Sequence, residues 1–338
     1  MYSKFILLLL TITVSYKSMG MPNVESLVYI GNGHVQVGIL VEVGGTIVSL
    51  RYKNGQNILE SDSTLWNEPM ADRPLVNANP VWKAYNGHTV WLGPQSDWWA
   101  QQDVNPELKK TKSNWPPDPW LGYANYKILQ HTDSSLIIES PASPVSGVSI
   151  TKNISISHTG KVSIIVSLKN TGNKPVSWDI WMNTRMNGMD KAYVPISKND
   201  DVRMDGGSPK TAVATKIADG YFTFKPARPE KEVAVLYSKA FIYPSKPFIA
   251  GFTKNYMLLI QFEKHNKSAI HPKQALVELY NSVAIDPKQD LLELEYHSPY
   301  KTLKPGEIMQ AWETWEVHAY SGPDHQQQQI EFLNTIIN

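Results

Sequence analysis

The 338-residue chain contains no cysteine. That excludes a disulfide framework, a thiolate zinc site and a cysteine nucleophile, so stability has to come from the packed core. Charge of one sign is also scarce in excess: 32 basic residues stand against 31 acidic ones, for a formal net charge of +1. A chain so balanced has no electrostatic footprint for nucleic acid or for an anionic membrane surface. No GxSxG, P-loop, Rossmann or HExxH pattern occurs, which leaves no cofactor motif to assign. There is no repeat of fixed period and no low-complexity linker to split the chain. Long apolar runs are missing except at residues 5–14, which fall short of the roughly 20 residues a membrane span needs. With Lys4 before that run and Ser18 and Gly20 after it, residues 1–20 read as a signal peptide cleaved near Gly20 or Met21. The expected product is exported, periplasmic or secreted, without stable membrane insertion; an uncleaved anchor is the alternative.

What is abundant is tryptophan. Five of the eleven, Trp91, Trp98, Trp99, Trp115 and Trp120, fall within residues 88–126. The segment is rich in proline and charge, which argues against a simple core strand and predicts a long ordered loop. Loops of that length inside compact domains are usually functional. Trp91, Gln95, Asp97, Trp98, Trp99, Asp118 and Trp120 are therefore candidates to line a site for a ligand with apolar faces and hydroxyl edges, as a carbohydrate has. The competing reading is that the tryptophans plug the end of a large β-fold.

Elsewhere, short runs with period-two alternation or β-branched residues lie between turn signals. Three strands are expected in residues 26–59, around Gly31-Asn32-Gly33, Gly44-Gly45 and Asn54-Gly55. More follow at 123–129, 135–139, 148–157 and 161–170, then along 168–186 and in seven runs between 221 and 318. Residues 197–207 read as a surface loop whose Asp200, Asp201 and Asp205 lack EF-hand spacing. Only residues 324–336 suit a helix. The expectation is an all-β fold with a short C-terminal helix, in one domain over residues 21–338. Asn183-Thr184-Arg185, polar at a strand end beside Trp178 and Trp181, forms a candidate site edge, although Arg185 equally suits pairing with a structural carboxylate.

Three segments in order, VEVGGTIVSLRYKNGQNILES from Val41, the strand pair from Val162 to Met186, and LELEYHSPYKTLKPGEIMQAWETWEV from Leu291, resemble the galactose-mutarotase-like (aldose 1-epimerase-like) superfamily. VWLGPQSDWW and WPPDPWLG resemble an exported branch of that superfamily of unknown function. The resemblance implies a β-supersandwich, two large antiparallel sheets face to face, with a sugar-sized cleft on one concave face. Aldose epimerases pair a glutamate base with a histidine acid. Here the strand expected to end in that histidine ends in Asn183-Thr184-Arg185, and asparagine cannot protonate a ring oxygen. Glu278 is the nearest match to the base, and His88 is the candidate substitute acid. Glu295, His297 and Glu313 are further candidates, but Glu293 and Glu295 alternate with leucines as a strand's outer face does. His265, His271 and His297 have no compact metal-ligand spacing with Glu278, and no metal is assigned. Three readings result: a carbohydrate-binding protein using Trp91, Gln95, Asp97, Trp98, Trp99, Asp118, Trp120, Asn183 and Arg185; an epimerase or other sugar-modifying enzyme; or an interaction protein whose Trp-rich face meets another protein.

Overall fold

The computed structural model describes residues 27–337, so the signal-peptide expectation lies outside the described residues. Six strands come first: β1 (Leu27–Gly31), β2 (Val35–Leu40), β3 (Thr46–Tyr52), β4 (His88–Gly93), β5 (Lys127–Thr132) and β6 (Ser135–Glu139). Seven follow: β7 (Val148–Ile156), β8 (Val162–Asn170), β9 (Val176–Met186), β10 (Lys191–Pro195), β11 (Val202–Asp205), β12 (Ala214–Ala218) and β13 (Tyr221–Lys225). The last are β14 (Val235–Ile242), β15 (Phe248–Phe252), β16 (Tyr256–Phe262), β17 (Val277–Ala284), β18 (Leu291–His297), β19 (Lys301–Leu303) and β20 (Ile308–Ala319). The helices are α1 (Pro106–Thr111), α2 (Pro119–Gly122) and α3 (Gln326–Ile337). Among the described residues no helix is long and apolar enough to cross a membrane.

The strands form two antiparallel ten-stranded sheets. The first runs β1-β2-β3-β4-β9-β18-β17-β14-β11 with β19 beside β9, the second β12-β13-β10-β15-β16-β20-β8-β7-β6-β5. This is the all-β, two-sheet architecture with a short C-terminal helix that the sequence predicts. Alternating apolar residues of both sheets, such as Ile180, Met182 and Leu294 from the first and Ile164, Val166 and Leu258 from the second, meet in one core. Each such side chain, fully buried, contributes about 1.5–3 kcal/mol. Helix α3 lays Ile330 and Leu333 against Tyr193 and Phe252 on the second sheet, with Ile336 and Ile337 partly buried at the same junction.

The two sheets treat their outer faces differently. Strand β8 alternates buried and more exposed residues, as a half-solvated strand should. Strand β9 is buried on both faces from Trp178 to Met186. Its outer face is covered because the β3–β4 and β4–β5 connections fold across it, bringing Trp82, Ala84 and Asn86 from one and Gln95 and Trp115 from the other. The β4–β5 connection is ordered by its own polar groups. Gln102 donates to the Trp99 and Asn105 carbonyls and accepts from the Val104 and Asn105 amides, and Asn105 caps α1 by accepting from the Leu108 amide.

Three expectations are corrected. Residues 324–336 are not alone in forming a helix, since the short helices α1 and α2 lie within the tract expected to be loop. Residues 88–93 are not loop: β4 pairs with β9 over six positions, and its HTVWLG sequence alternates like any strand. The expected surface loop at residues 197–207 contains β11, an edge strand paired with β14. Strands β11 and β12 are largely exposed, so they carry no apolar pattern by which sequence could reveal them.

Candidate functional site

Strand alternation sorts β9 into an inward set, Ile180, Met182, Thr184 and Met186, and an outward set, Trp181, Asn183 and Arg185. Register then extends the outward set sideways, since directly opposed residues share a face. Trp91 lies opposite Trp181 and Thr89 opposite Asn183. Glu293 faces Arg185, Glu295 faces Asn183 and His297 faces Trp181. Tyr280 and Glu278 follow beside Glu293 and Glu295, and Lys239 beside Tyr280. Five adjacent strands thus present one strip of aromatic and ionisable side chains beneath the covering loops.

Above that strip lies a cleft of about 540 Å³. Four of its walls are indoles. Trp82 meets Trp115 with ring centroids 4.8 Å apart and Trp91 at 6.0 Å, and Trp91 meets Trp181 at 5.1 Å. Trp98 braces them from behind, its Nε1 donating to the Leu92 carbonyl at 2.6 Å. Between the rings stand charged groups. The Arg185 guanidinium lies 4.8 Å from the Trp91 ring centroid, a cation–π distance. Its Nε donates to Glu293 Oε1 at 2.9 Å and its Nη1 to Thr89 Oγ1 at 2.9 Å. Asn183 Nδ2 donates to the same Glu293 oxygen. The Lys239 ammonium sits 4.9 Å from the Trp181 ring centroid.

Under the cleft floor is a buried ionic cluster. Lys239 Nζ is 2.7 Å from Glu278 Oε2 and 3.0 Å from Glu295 Oε2. His297 Nδ1 is 3.1 Å from Asp179 Oδ1, and its Nε2 is 3.5 Å from Glu278 Oε1. Glu278 Oε1 also accepts from the Ala275 amide. Glu278, Glu295, Asp179 and His297 have no exposed surface, whereas the Lys239 side chain is 22% exposed. Gly93 is directly opposite Asp179, and a Cβ there would strike the Asp179 carboxylate, so glycine is what lets that acid fit. Burial raises the Glu295 carboxyl to about 7 against the pull of Lys239. Burial opposes the charges on Lys239 and His297, but the neighbouring carboxylates outweigh it and hold both pKa values above their ordinary ranges.

Of the sequence candidates, Trp91, Gln95 and Arg185 line the cleft. Asn183 and Glu278 lie on the same sheet face but are fully buried below it, and Trp98 stands behind Trp91. Asp97 is outside the lining, where it accepts from the Ser96 hydroxyl. Glu278, bound by Lys239, His297 and the Ala275 amide, is placed to hold Lys239 rather than to touch a ligand in the cleft.

Five candidates are elsewhere. His88 points into the core between the sheets, 5.0 Å from the Trp315 ring, with Nδ1 hydrogen-bonded to Thr184 Oγ1; Thr184 is on the inward set, so His88 cannot act as an acid in the cleft. Trp99 has no exposed surface and donates to the Pro116 carbonyl. Asp118 caps α2 and accepts from the Ser143 and Ser146 hydroxyls. Trp120 packs against the main core. Glu313 also faces inward and is 1% exposed.

Sequence reasoning assigned no site role to Trp82, Trp115, Trp181, Lys239, Tyr280 or Glu293, all of which line the cleft. The i, i+2, i+4 spacing of Trp181, Asn183 and Arg185 does mark a shared face. The pairing of Lys239 with Glu278 and Glu295 arises from register across three strands and has no local signal. The alternation that makes Glu293 and Glu295 an outer face is correct in direction, but that face is covered, and Glu295 is wholly buried.

No match is found among curated proteins. Solved structures do resemble the chain in fold. A protein from Synechocystis sp. PCC 6803 is 12% identical, with 92% of this chain and 100% of that one covered and a TM-score of 0.53. A galactose mutarotase-like protein from Lactobacillus casei ATCC 334 is 13% identical over 86% of this chain and 100% of its own, also at 0.53. The sandwich is thus of the galactose-mutarotase-like type. Residues 26–318 match the family described as a domain of unknown function (DUF4380), and the chain belongs to that family.

Proposed function

We propose that the protein binds a carbohydrate in the cleft between Trp82, Trp91, Trp115 and Trp181. The observation that carries this reading is the arrangement of four indoles around polar groups of both kinds, Arg185 and Lys239 as donors and Glu293 and Gln95 as acceptors. Sugars present apolar C–H faces bounded by hydroxyls. Aromatic walls supply contact area, and fixed polar groups left unpaired by the wrong isomer supply selectivity. The galactose-mutarotase-like fold supports a sugar-related role without naming the sugar. Export belongs to the same proposal, on the strength of Lys4 and the apolar run at residues 5–14.

The test is a titration of intrinsic tryptophan fluorescence with a broad panel of mono- and oligosaccharides. Saturable quenching by one class is expected. A flat response across the panel and a blank glycan array would overturn the reading and favour a protein partner for the Trp-rich face. N-terminal sequencing of the mature protein tests export, with a new terminus near residue 21 expected and an intact Met1 in the cytoplasm opposing it.

A further inference from the structure

The ionic cluster beneath the cleft is not explained by sugar binding, because its acids never reach the cleft surface. We propose that Glu278, Glu295 and His297 form a binding site for a first-row divalent cation of the zinc or manganese type. The three residues come from the adjacent strands β17 and β18, where Glu278 and Glu295 are directly opposed and His297 follows Glu295 on the same face. Each offers a ligand atom within 4.8 Å of the others, and all three are fully buried. Ligand atoms at about 2.1 Å from one ion lie about 3–3.5 Å apart, so the side chains need only draw in by roughly 1 Å.

Three details favour an ion over a purely structural charge cluster. First, the oxygens are divided: Lys239 takes Oε2 of both glutamates, leaving Oε1 of each directed elsewhere. Glu295 Oε1 is buried without a hydrogen bond, and His297 Nε2 has only the long 3.5 Å approach of Glu278 Oε1; buried polar atoms so poorly satisfied require an explanation. Second, His297 holds its other ring nitrogen against Asp179. A carboxylate on the far side of the ring is the usual support of a metal-bound histidine, fixing its tautomer and aim. Third, three carboxyl groups, those of Asp179, Glu278 and Glu295, crowd around one ammonium and one imidazole. An ion held through Oε1 of the glutamates and Nε2 of His297 leaves the Lys239 contacts to Oε2 in place. Two carboxylates and an imidazole suit zinc or manganese better than calcium, which prefers oxygen ligands alone.

This inference is independent of the sugar reading, since its test uses the metal alone. The purified protein is stripped with chelator, titrated calorimetrically with Zn²⁺ and separately with Mn²⁺, dialysed, and its metal content measured. One equivalent retained per chain is expected for at least one of the two ions. Glu295→Gln and His297→Gln should each weaken binding at least tenfold, and Asp179→Asn about 10–100-fold. Circular dichroism of each variant establishes that it is folded. Should the variants not fold, wild type is decisive on its own: a rise in Tm with Zn²⁺ or Mn²⁺ supports the site. Lack of both retention and a Tm response overturns it, as does retention unchanged in folded Glu295→Gln and His297→Gln. In that event Lys239 is the cluster's resident cation.

Discussion

Trp181 lies directly opposite Trp91 in the β4–β9 pairing, and the two indoles meet edge to face with their planes at 86°. The floor of the cleft is therefore set by backbone register within a sheet, whereas Trp82 and Trp115 reach it from connections. Rigid elements hold contact geometry better than loops do. The two pairs of tryptophans should accordingly respond differently to mutation.

Trp115 is 41% exposed and touches the cleft from the rim. Trp115→Ala should lower Tm by only a few degrees, because the ring packs against Trp82, Trp91 and Trp98 at the rim rather than in the core between the sheets. Sugar affinity should fall about fivefold, on the basis of roughly 1 kcal/mol for an aromatic contact. Equal dissociation constants for wild type and variant, measured with any sugar that quenches fluorescence, would remove Trp115 from the binding surface.

Asp118 offers the converse case. Its carboxylate accepts from Ser143 Oγ at 2.5 Å, Ser146 Oγ at 2.7 Å and the Trp120 amide at 3.0 Å. Asp118→Ala strips three donors of their acceptor, two of them buried hydroxyls, and should destabilise the fold by about 1–3 kcal/mol. Urea denaturation reads that loss, and sugar affinity at low urea should be unchanged. A folded variant with normal stability and lost binding would instead place Asp118 in the site.

The architecture was legible because alternation and turn residues are local. The hairpin around His158 to Gly160, the strand at Ser135–Glu139 and the strand at Tyr221–Lys225 were all read within a residue or so of their ends. The site was legible only where chemistry and period coincided, as in Trp91 and Arg185. Composition pointed to residues 88–126 as a whole, but could not say which tryptophans face a cleft. Trp99 and Trp115 stand in the same tract, yet one is fully buried and the other 41% exposed. His88 shows the limit most plainly. Its neighbours suggested a loop histidine, while the even-numbered positions of β4 point inward and carry it to Trp315.

That placement has a pH signature. Burial, with the positive charges of Lys152 and Arg185, holds the His88 pKa well below its ordinary value. The unfolded chain takes up a proton below pH 6.5 that the folded chain does not, so this contribution to stability is present above pH 6.5 and is lost on acidification. His88→Leu should flatten that acid limb in denaturation curves measured between pH 7 and 5. Sugar binding should survive. If the variant keeps the wild-type pH slope, His88 is not the neutral core residue described here.

Glu313 should act in the opposite direction. It faces inward from β20, its carboxylate accepts from Trp315 Nε1 at 3.0 Å, and burial raises its pKa to about 8. Between the ordinary carboxylate range and pH 8 the folded chain keeps a proton that the unfolded chain has released. Stability from this group is therefore full at low pH and falls as pH rises through about 8, at up to about 1.4 kcal/mol for each pH unit traversed. Glu313→Gln keeps the shape and the acceptor for Trp315 but has no proton to lose. Its stability relative to wild type should increase steadily from pH 5 to pH 8 in chemical denaturation, and level off above that. A difference independent of pH would mean that Glu313 is already ionised in the folded core, and that some group besides Trp315 compensates its charge.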